Sequence, residues 1–306
     1  MSLVEQPAAV LGAPEAGIAD VGTAQPLSRD VWRRFRRNKL AMLGLAFIIL
    51  IVLAAIFAPL ITSYDPVHDR AIGRYREGPS TAHWFGTDKI GRDVFSRVIY
   101  GARISLRVGI IATMMSLLIG VVLGSLAGFF GGVLDSFVMR ITDIFLAIPY
   151  IILAVALATV LGKGEGTVIL VLGLTGWLAI TRIVRATFLS LKELEYVEAA
   201  RALGYSRTRI MFRHILPNAL QPIIVYGTIS IGSAILAEVA LSFLGIGVLE
   251  PTPSWGLMID HGRRDLSNAF HMLFFPGLAV MLTVLAFVFV GDGLRDALDP
   301  KLRGRE

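Results

Sequence analysis

Not one cysteine occurs among the 306 residues. That excludes a disulfide-stapled secreted scaffold, thiolate metal sites and thiol lipidation. Charge is scarce too: Asp, Glu, Lys and Arg make up 17% of the chain, against roughly a quarter in soluble domains. Residues 1–28 hold no Lys or Arg. An ordinary signal peptide, which needs a basic start before its apolar run, is thereby excluded. Gly162-Lys163-Gly164 is no phosphate-binding loop, since the glycine six residues before the lysine and the hydroxyl residue after it are both missing. The chain is expected to bind no cofactor of its own. The five histidines, at 68, 83, 214, 261 and 271, never fall into a His-Glu-x-x-His pattern, and no metal site is expected. The net charge of +6 does not point to nucleic acid, because the bases flank apolar runs and there report orientation.

What the chain has in abundance is apolar length. Hydrophobic residues reach 55% and the mean hydropathy is +0.70. Uncharged stretches lie between Lys39 and Asp65, Arg107 and Asp135, Asp143 and Lys163, Glu165 and Arg182, Arg213 and Glu238, and Asp265 and Asp292. About 20 residues of helix cross the hydrocarbon. The fourth stretch is the shortest and suffices if Arg182 and Arg185 snorkel to the water boundary. The spacing therefore predicts an all-α integral membrane protein with six transmembrane helices, near 41–61, 108–129, 141–161, 167–188, 222–244 and 272–291. Lipid offers the backbone no hydrogen-bond partners, so the spans must be helical.

Orientation follows from the bases. Arg33, Arg34, Arg36, Arg37 and Lys39 abut the first span, and Arg295, Lys301, Arg303 and Arg305 follow the last. The positive-inside rule puts both termini in the cytoplasm. On that topology about 18 of the 29 Lys and Arg residues face inward. Residues 1–28 read as a flexible cytoplasmic tail, 29–102 as the first span with its outer loop, and 103–303 as a five-helix unit. Val94–Arg107 carries bases amid apolar residues and reads as a segment lying on the membrane surface. Trp84, Phe85 and Trp255 suit the aromatic interface belt or a contact with a protein partner on the outer face. The charges Asp260, Arg263, Arg264 and Asp265 suggest a solvated turn.

Three features inside the spans invite a role. Gly120, Gly124 and Gly128 recur every four residues on one helix face, where a second helix can approach closely. That helix belongs either to this subunit or to a partner. Pro149 either kinks the third span or marks a gate. Glu238 interrupts an apolar run. A carboxylate there is a translocation-path candidate, with a hydrated boundary position or an arginine partner in another subunit as the alternatives.

The inner loop 192–217 carries the most information. It reads as two short helices. Glu193, Glu195 and Glu198 sit in the early turns of the first, where the helix dipole favours anions. Gly204 is a natural C-cap, Ser206 can cap the second helix, and Pro217 sets its end. Ala199 and Ala200 allow a close approach, and Arg201, Arg207, Arg209 and Arg213 follow.

Glu198-Ala199-Ala200, then Gly204, then Leu216-Pro217 resembles the EAA loop of bacterial ABC importer permeases. His214 stands where the general pattern has Ile, with Ile215 one place later. Further segments resemble the dipeptide/oligopeptide/nickel branch: Gly86-Thr87-Asp88, Gly91-Arg92-Asp93-Val94, Ser96-Arg97, Gly101-Ala102-Arg103, Phe275-Pro276-Gly277 and Gly291-Asp292-Gly293-Leu294-Arg295-Asp296. The likeness spans about residues 30–303, and the second permease subunit of the dipeptide system is nearest in pattern. It implies a type I ABC importer architecture in the bacterial inner membrane. It also implies a second homologous permease, two cytoplasmic ATPases that hold ATP and Mg, and an extracytoplasmic solute-binding protein. Glu198, Ala199, Ala200, Arg201, Gly204, Leu216 and Pro217 would form the ATPase-docking surface. Di- and oligopeptides are the implied cargo, with nickel, glutathione and oligosaccharide open as alternatives. An intramembrane enzyme would need paired carboxylates or His beside Asp at one depth, where the spans offer only Glu238. A passive channel has no need of such a loop.

Overall fold

A computed structural model describes residues 27–299. Twelve helices follow in order: α1 (Leu27–Arg37), α2 (Lys39–Ile56), α3 (Ala58–Ile61), α4 (Val94–Phe130), α5 (Gly132–Leu146), α6 (Tyr150–Leu161), α7 (Glu165–Leu191), α8 (Glu195–Ala202), α9 (Arg207–Arg209), α10 (Leu216–Phe243), α11 (Trp255–Arg264) and α12 (His271–Leu298). A π-helical turn, Ile210–Ile215, joins α9 to α10. Among the described residues no strand occurs, only a single bridge between Thr87 and Asp93. The expected tail lies outside the described residues up to position 26, and α1 already includes Leu27 and Ser28. Lys301, Arg303 and Arg305 lie outside them too.

Among the described residues five helices are long and apolar enough to cross a membrane, and the bent pair α5–α6 makes a sixth crossing if counted as one span. The pair bends by 89°, with Ala147, Ile148 and Pro149 at the corner. Pro149 donates no N–H, and its ring drives the preceding residue out of the helical region. The expected kink is thus a full corner.

Helix α4 departs from the sequence reading. Its 37 residues form one continuous helix, so Val94–Arg107 is its first third and not a surface segment, and the 102/103 boundary falls within it. The Asp93 carboxylate caps it by accepting from the Ser96 N–H at 2.7 Å. Its bases have protein partners. Arg97 donates to the Pro66 carbonyl at 2.8 Å. Arg103 donates to the Ala55 and Ile56 carbonyls, closing the end of α2. Arg107 pairs with Glu165 at 3.2 Å.

Packing follows the small residues. α4 and α7 pair along the glycine seam, α12 sits between α2 and α10, and α1 lies on the end of α12 with Phe35 buried. These contacts place α1, α8 and the end of α12 on one face of the bundle; the 62–93 loop and α11 occupy the other. Leu43, Leu50, Met114 and Leu118 stay exposed on the perimeter, where hydrocarbon is the expected neighbour.

Candidate coupling loop and solute path

The loop between α7 and α10 is built by its caps. Helix α8 ends in a Schellman motif: the Gly204 N–H reaches the Arg201 carbonyl at 2.9 Å and the Tyr205 N–H reaches Ala200 at 3.1 Å. Gly204 sits at φ 76°, a left-handed conformation that costs other residues about 1–2 kcal/mol. The Ser206 hydroxyl then accepts from the Arg209 N–H and starts α9.

The faces of α8 divide cleanly. Val197 and Ala200 are buried against Ile210, Met211 and Ile215. Glu198, Ala199, Arg201 and Gly204 are exposed, and Leu203 is 72% exposed beside them. Arg209 lies over the Tyr205 ring at 4.1 Å, and that ring stacks on His214. These contacts fix α8 rigidly to the foot of α10 and leave its acidic, small-residue face bare.

Pro217 does not end a helix as expected. It stands in the first turn of α10, and the chain runs helically from Arg207 to Phe243. The π turn explains the difference. The Leu216 N–H reaches back five residues to the Met211 carbonyl. The wider turn makes room for a ring that would collide with the carbonyl four residues earlier. Leu216 is half-buried and Pro217 exposed.

The three glycines of α4 face α7 of this same chain. A Cβ at Gly120, Gly124 or Gly128 would stand 2.6–2.7 Å from Ile180, from Thr181 and Val184, or from Phe188, respectively. Two ion pairs flank the seam: Arg185 with Asp135, and Arg182 with Asp143 at 2.6 Å.

Glu238 is fully buried. Its carboxylate accepts from the Ser242 hydroxyl at 2.9 Å and the Ser105 hydroxyl at 3.4 Å. A Cβ at Gly256 would touch it. Ser105 also accepts from the Trp255 N–H, so Glu238 is the hub that ties α4, α10 and the start of α11 together. That position fits neither a hydrated boundary nor a solute-facing side chain. Instead a recess of about 200 Å3 opens between α4, α6, α7 and α10, lined in part by Thr113, Ser116, Tyr150, Tyr226, Ser230 and Ser233. The sequence carried a signal for it that the charge pattern hid. Tyr226, Ser230, Ser233 and Ala237 fall at i, i+4, i+7 and i+11, one face of α10.

Other residues singled out from the sequence find structural partners. Trp255 is fully buried and donates its indole N–H to the Val98 carbonyl at 2.9 Å, so it is no belt residue. Phe85 stacks on Phe275, while Trp84 is exposed. Asp260 is buried on α11 and holds Arg263 and Arg264, and Asp265 reaches Arg76. This is a helix with cross-loop pairs, not a solvated turn. His83 bonds Asp93 at 2.9 Å, and His68 lies beside Asp65.

Apolar spans around a recess, with a rigid helical knob projecting between two of them, define a polytopic membrane protein. Comparison with known proteins sharpens that class. Residues 120–304 match the family of binding-protein-dependent transport system inner membrane components. Residues 26–79 match the N-terminal transmembrane domain of oligopeptide transport permease C. The oligopeptide transport system permease protein OppC of Bacillus subtilis is 46% identical over 296 residues, covering 94% of this chain and 97% of that protein. The dipeptide permease DppC of Alkalihalophilus pseudofirmus is 44% identical, covering 93% of each chain. The glutathione permease GsiD of Pectobacterium atrosepticum is also 44% identical, covering 90% of this chain and 91% of its own. A solved inward-facing structure of the MetNI methionine ABC transporter shares the fold, with TM-score 0.55 and 24% identity over 66% of this chain and 97% of that one. The chain belongs to the family of binding-protein-dependent inner-membrane components and is a permease subunit of an ABC importer.

Proposed function

We propose that this permease forms half of the pore for di- and oligopeptide uptake, and that partner ATPases drive it through α8. The observation that carries the reading is the bare face of α8, with Glu198 and Ala199 exposed and Ala200 locked onto the foot of α10. A knob so held moves α10 whenever it is moved. In this reading two ATPases hold ATP and Mg, while this chain binds neither and catalyses nothing. A second homologous permease completes the pore, and a solute-binding protein delivers cargo to the face bearing the 62–93 loop. Both chain ends lie in the cytoplasm, as the flanking bases favour. Nucleotide then biases a two-state element instead of pushing solute directly.

The peptide assignment draws on the likeness to OppC and DppC. Glutathione is a second reading, favoured by the 44% identity to GsiD over 275 residues. The test reconstitutes the importer in proteoliposomes and measures ATP hydrolysis and peptide uptake together. Glu198→Lys should leave the complex assembled and hydrolysis partly active while uptake falls by at least about tenfold, the effect of roughly 1.4 kcal/mol of lost coupling. Wild-type uptake in that variant, at equal expression, overturns the docking role. Competition between labelled trialanine and glutathione separates the two cargoes.

A further inference from the structure

We propose that the recess between α4, α6, α7 and α10 is this subunit's share of the solute-contact site, and that its uncharged hydroxyls take the backbone amides of a peptide. The proposal rests on the importer reading above and adds to it a place and a recognition chemistry.

Three observations support it. First, Thr113 is among the residues lining the recess and is 3% exposed, and its covered Oγ1 has no hydrogen-bond partner. A buried hydroxyl left unpaired inside a membrane is unfavourable until a partner arrives. Ser116 is different, because its hydroxyl is engaged by the Leu172 and Gly173 carbonyls. Second, Tyr226, Ser230 and Ser233 line the recess from one face of α10, and no hydrogen bond engages their hydroxyls among the described residues. Third, among the described residues no Asp, Glu, His, Lys or Arg lines the recess.

The third observation narrows the ligand. A divalent metal such as nickel takes imidazole, thiolate or carboxylate donors, and neutral hydroxyls do not replace them. A charged group finds no counter-charge here, so the charged termini of a peptide would have to meet groups outside this recess. A hydroxyl both donates and accepts, which suits the alternating N–H and C=O of an extended peptide. Side-chain charge would then go unread at this depth. The volume of about 200 Å3 is also smaller than the roughly 300–1,000 Å3 of a small-molecule site, so the second permease must supply the opposite wall.

This chain has no cysteine, so label on a single-cysteine variant is read on this subunit alone once it is separated from its partners on a gel. Thr113→Cys, Ser233→Cys and, on the exposed opposite side of α4, Leu118→Cys are placed in the intact importer with its ATPases, second permease and binding protein. A charged thiol reagent should label positions 113 and 233 in at least one nucleotide state and leave 118 unlabelled in the lipid. Turnover with trialanine should slow labelling about fivefold, the effect of one hydrogen bond of about 1 kcal/mol. Tripeptides with an acidic or a basic central residue should protect equally well. Thr113→Val should lose uptake by a similar factor while Thr113→Ser retains it. Failure to label 113 and 233 in every nucleotide state overturns the site. Protection by nickel or maltotriose but not by trialanine overturns the backbone chemistry. An importer that moves no peptide at all, yet is labelled at 113 and 233, refutes the peptide reading and leaves the recess as the path.

Discussion

Replacing Gly124 with alanine should force α4 and α7 apart. The added carbon would stand 2.7 Å from the Thr181 carbonyl oxygen and 2.7 Å from Val184 Cβ. Both are backbone or near-backbone atoms that cannot swing away, so the helices must separate by several tenths of an ångström. Two effects oppose each other. Alanine relieves the conformational entropy of glycine and gains about 0.5–1 kcal/mol in a helix. Overpacking a fitted seam costs about 1–3 kcal/mol. The second wins, for a net loss of about 1–2 kcal/mol. At roughly 2–4 °C per kcal/mol, the thermal midpoint of the purified importer in detergent should drop by several degrees. Gly120 and Gly128 face α7 one turn to either side, so separation at one site makes room at the others. The triple variant should therefore lose less than the three single losses combined. Gly166→Ala is the control, since nothing lies within 4 Å of its added carbon. An unchanged midpoint for Gly124→Ala, or an equal loss for Gly166→Ala, would refute the close contact.

Further outcomes follow from other sites. Glu238→Ala strands the Ser105 and Ser242 hydroxyls and should cost about 1–3 kcal/mol, whereas Glu238→Gln keeps an acceptor and should cost clearly less; equal drops in the thermal midpoint contradict the hub. Gly204→Ala meets no neighbour within 4 Å, so its cost is the left-handed backbone alone, about 1–2 kcal/mol, and coupled uptake should weaken; uptake equal to wild type counts against the cap. Burial holds the His261 imidazole below its ordinary 6.5, aided by Lys89 and Arg97 and opposed by Glu250 and Asp260. The unfolded chain then binds the proton more readily than the fold, so the stability this site contributes is complete above 6.5 and declines as pH falls toward the folded value. Hydrogen exchange across Trp255–Arg264, corrected for its intrinsic rate, should be faster at about pH 5.5 than at about pH 7.5, and His261→Gln should abolish the difference. Equal protection at both acidities would contradict that sign.

The spans were legible because lipid imposes a length and forbids charge, and the gaps between charged residues report both. The inner loop was legible because Gly204 and Ser206 act through local backbone geometry that the sequence encodes directly. What stayed hidden depended on distant partners. Arg97 and Arg103 bind carbonyls of Pro66, Ala55 and Ile56, tens of residues away, and without those partners the first turns of α4 look like an amphipathic surface segment. Pro217 is a stop signal in any sequence window, and only the π turn before it makes it a passenger. Glu238 reads as exposed to the path until α11 is folded over it. Trp255 reads as an interface residue for the same reason.

The knot around Glu238 has a mechanical meaning. It clamps α10 to α4 near the end farthest from α8, and the helix runs on without a break down to Arg207. At 1.5 Å per residue that shaft is about 46 Å long. A tilt of ten degrees about the clamp would carry its foot through about 8 Å, whereas Ser233, close to the fulcrum, would shift by little more than 1 Å. A large stroke by a motor at the foot thus becomes a fine adjustment where cargo would pass.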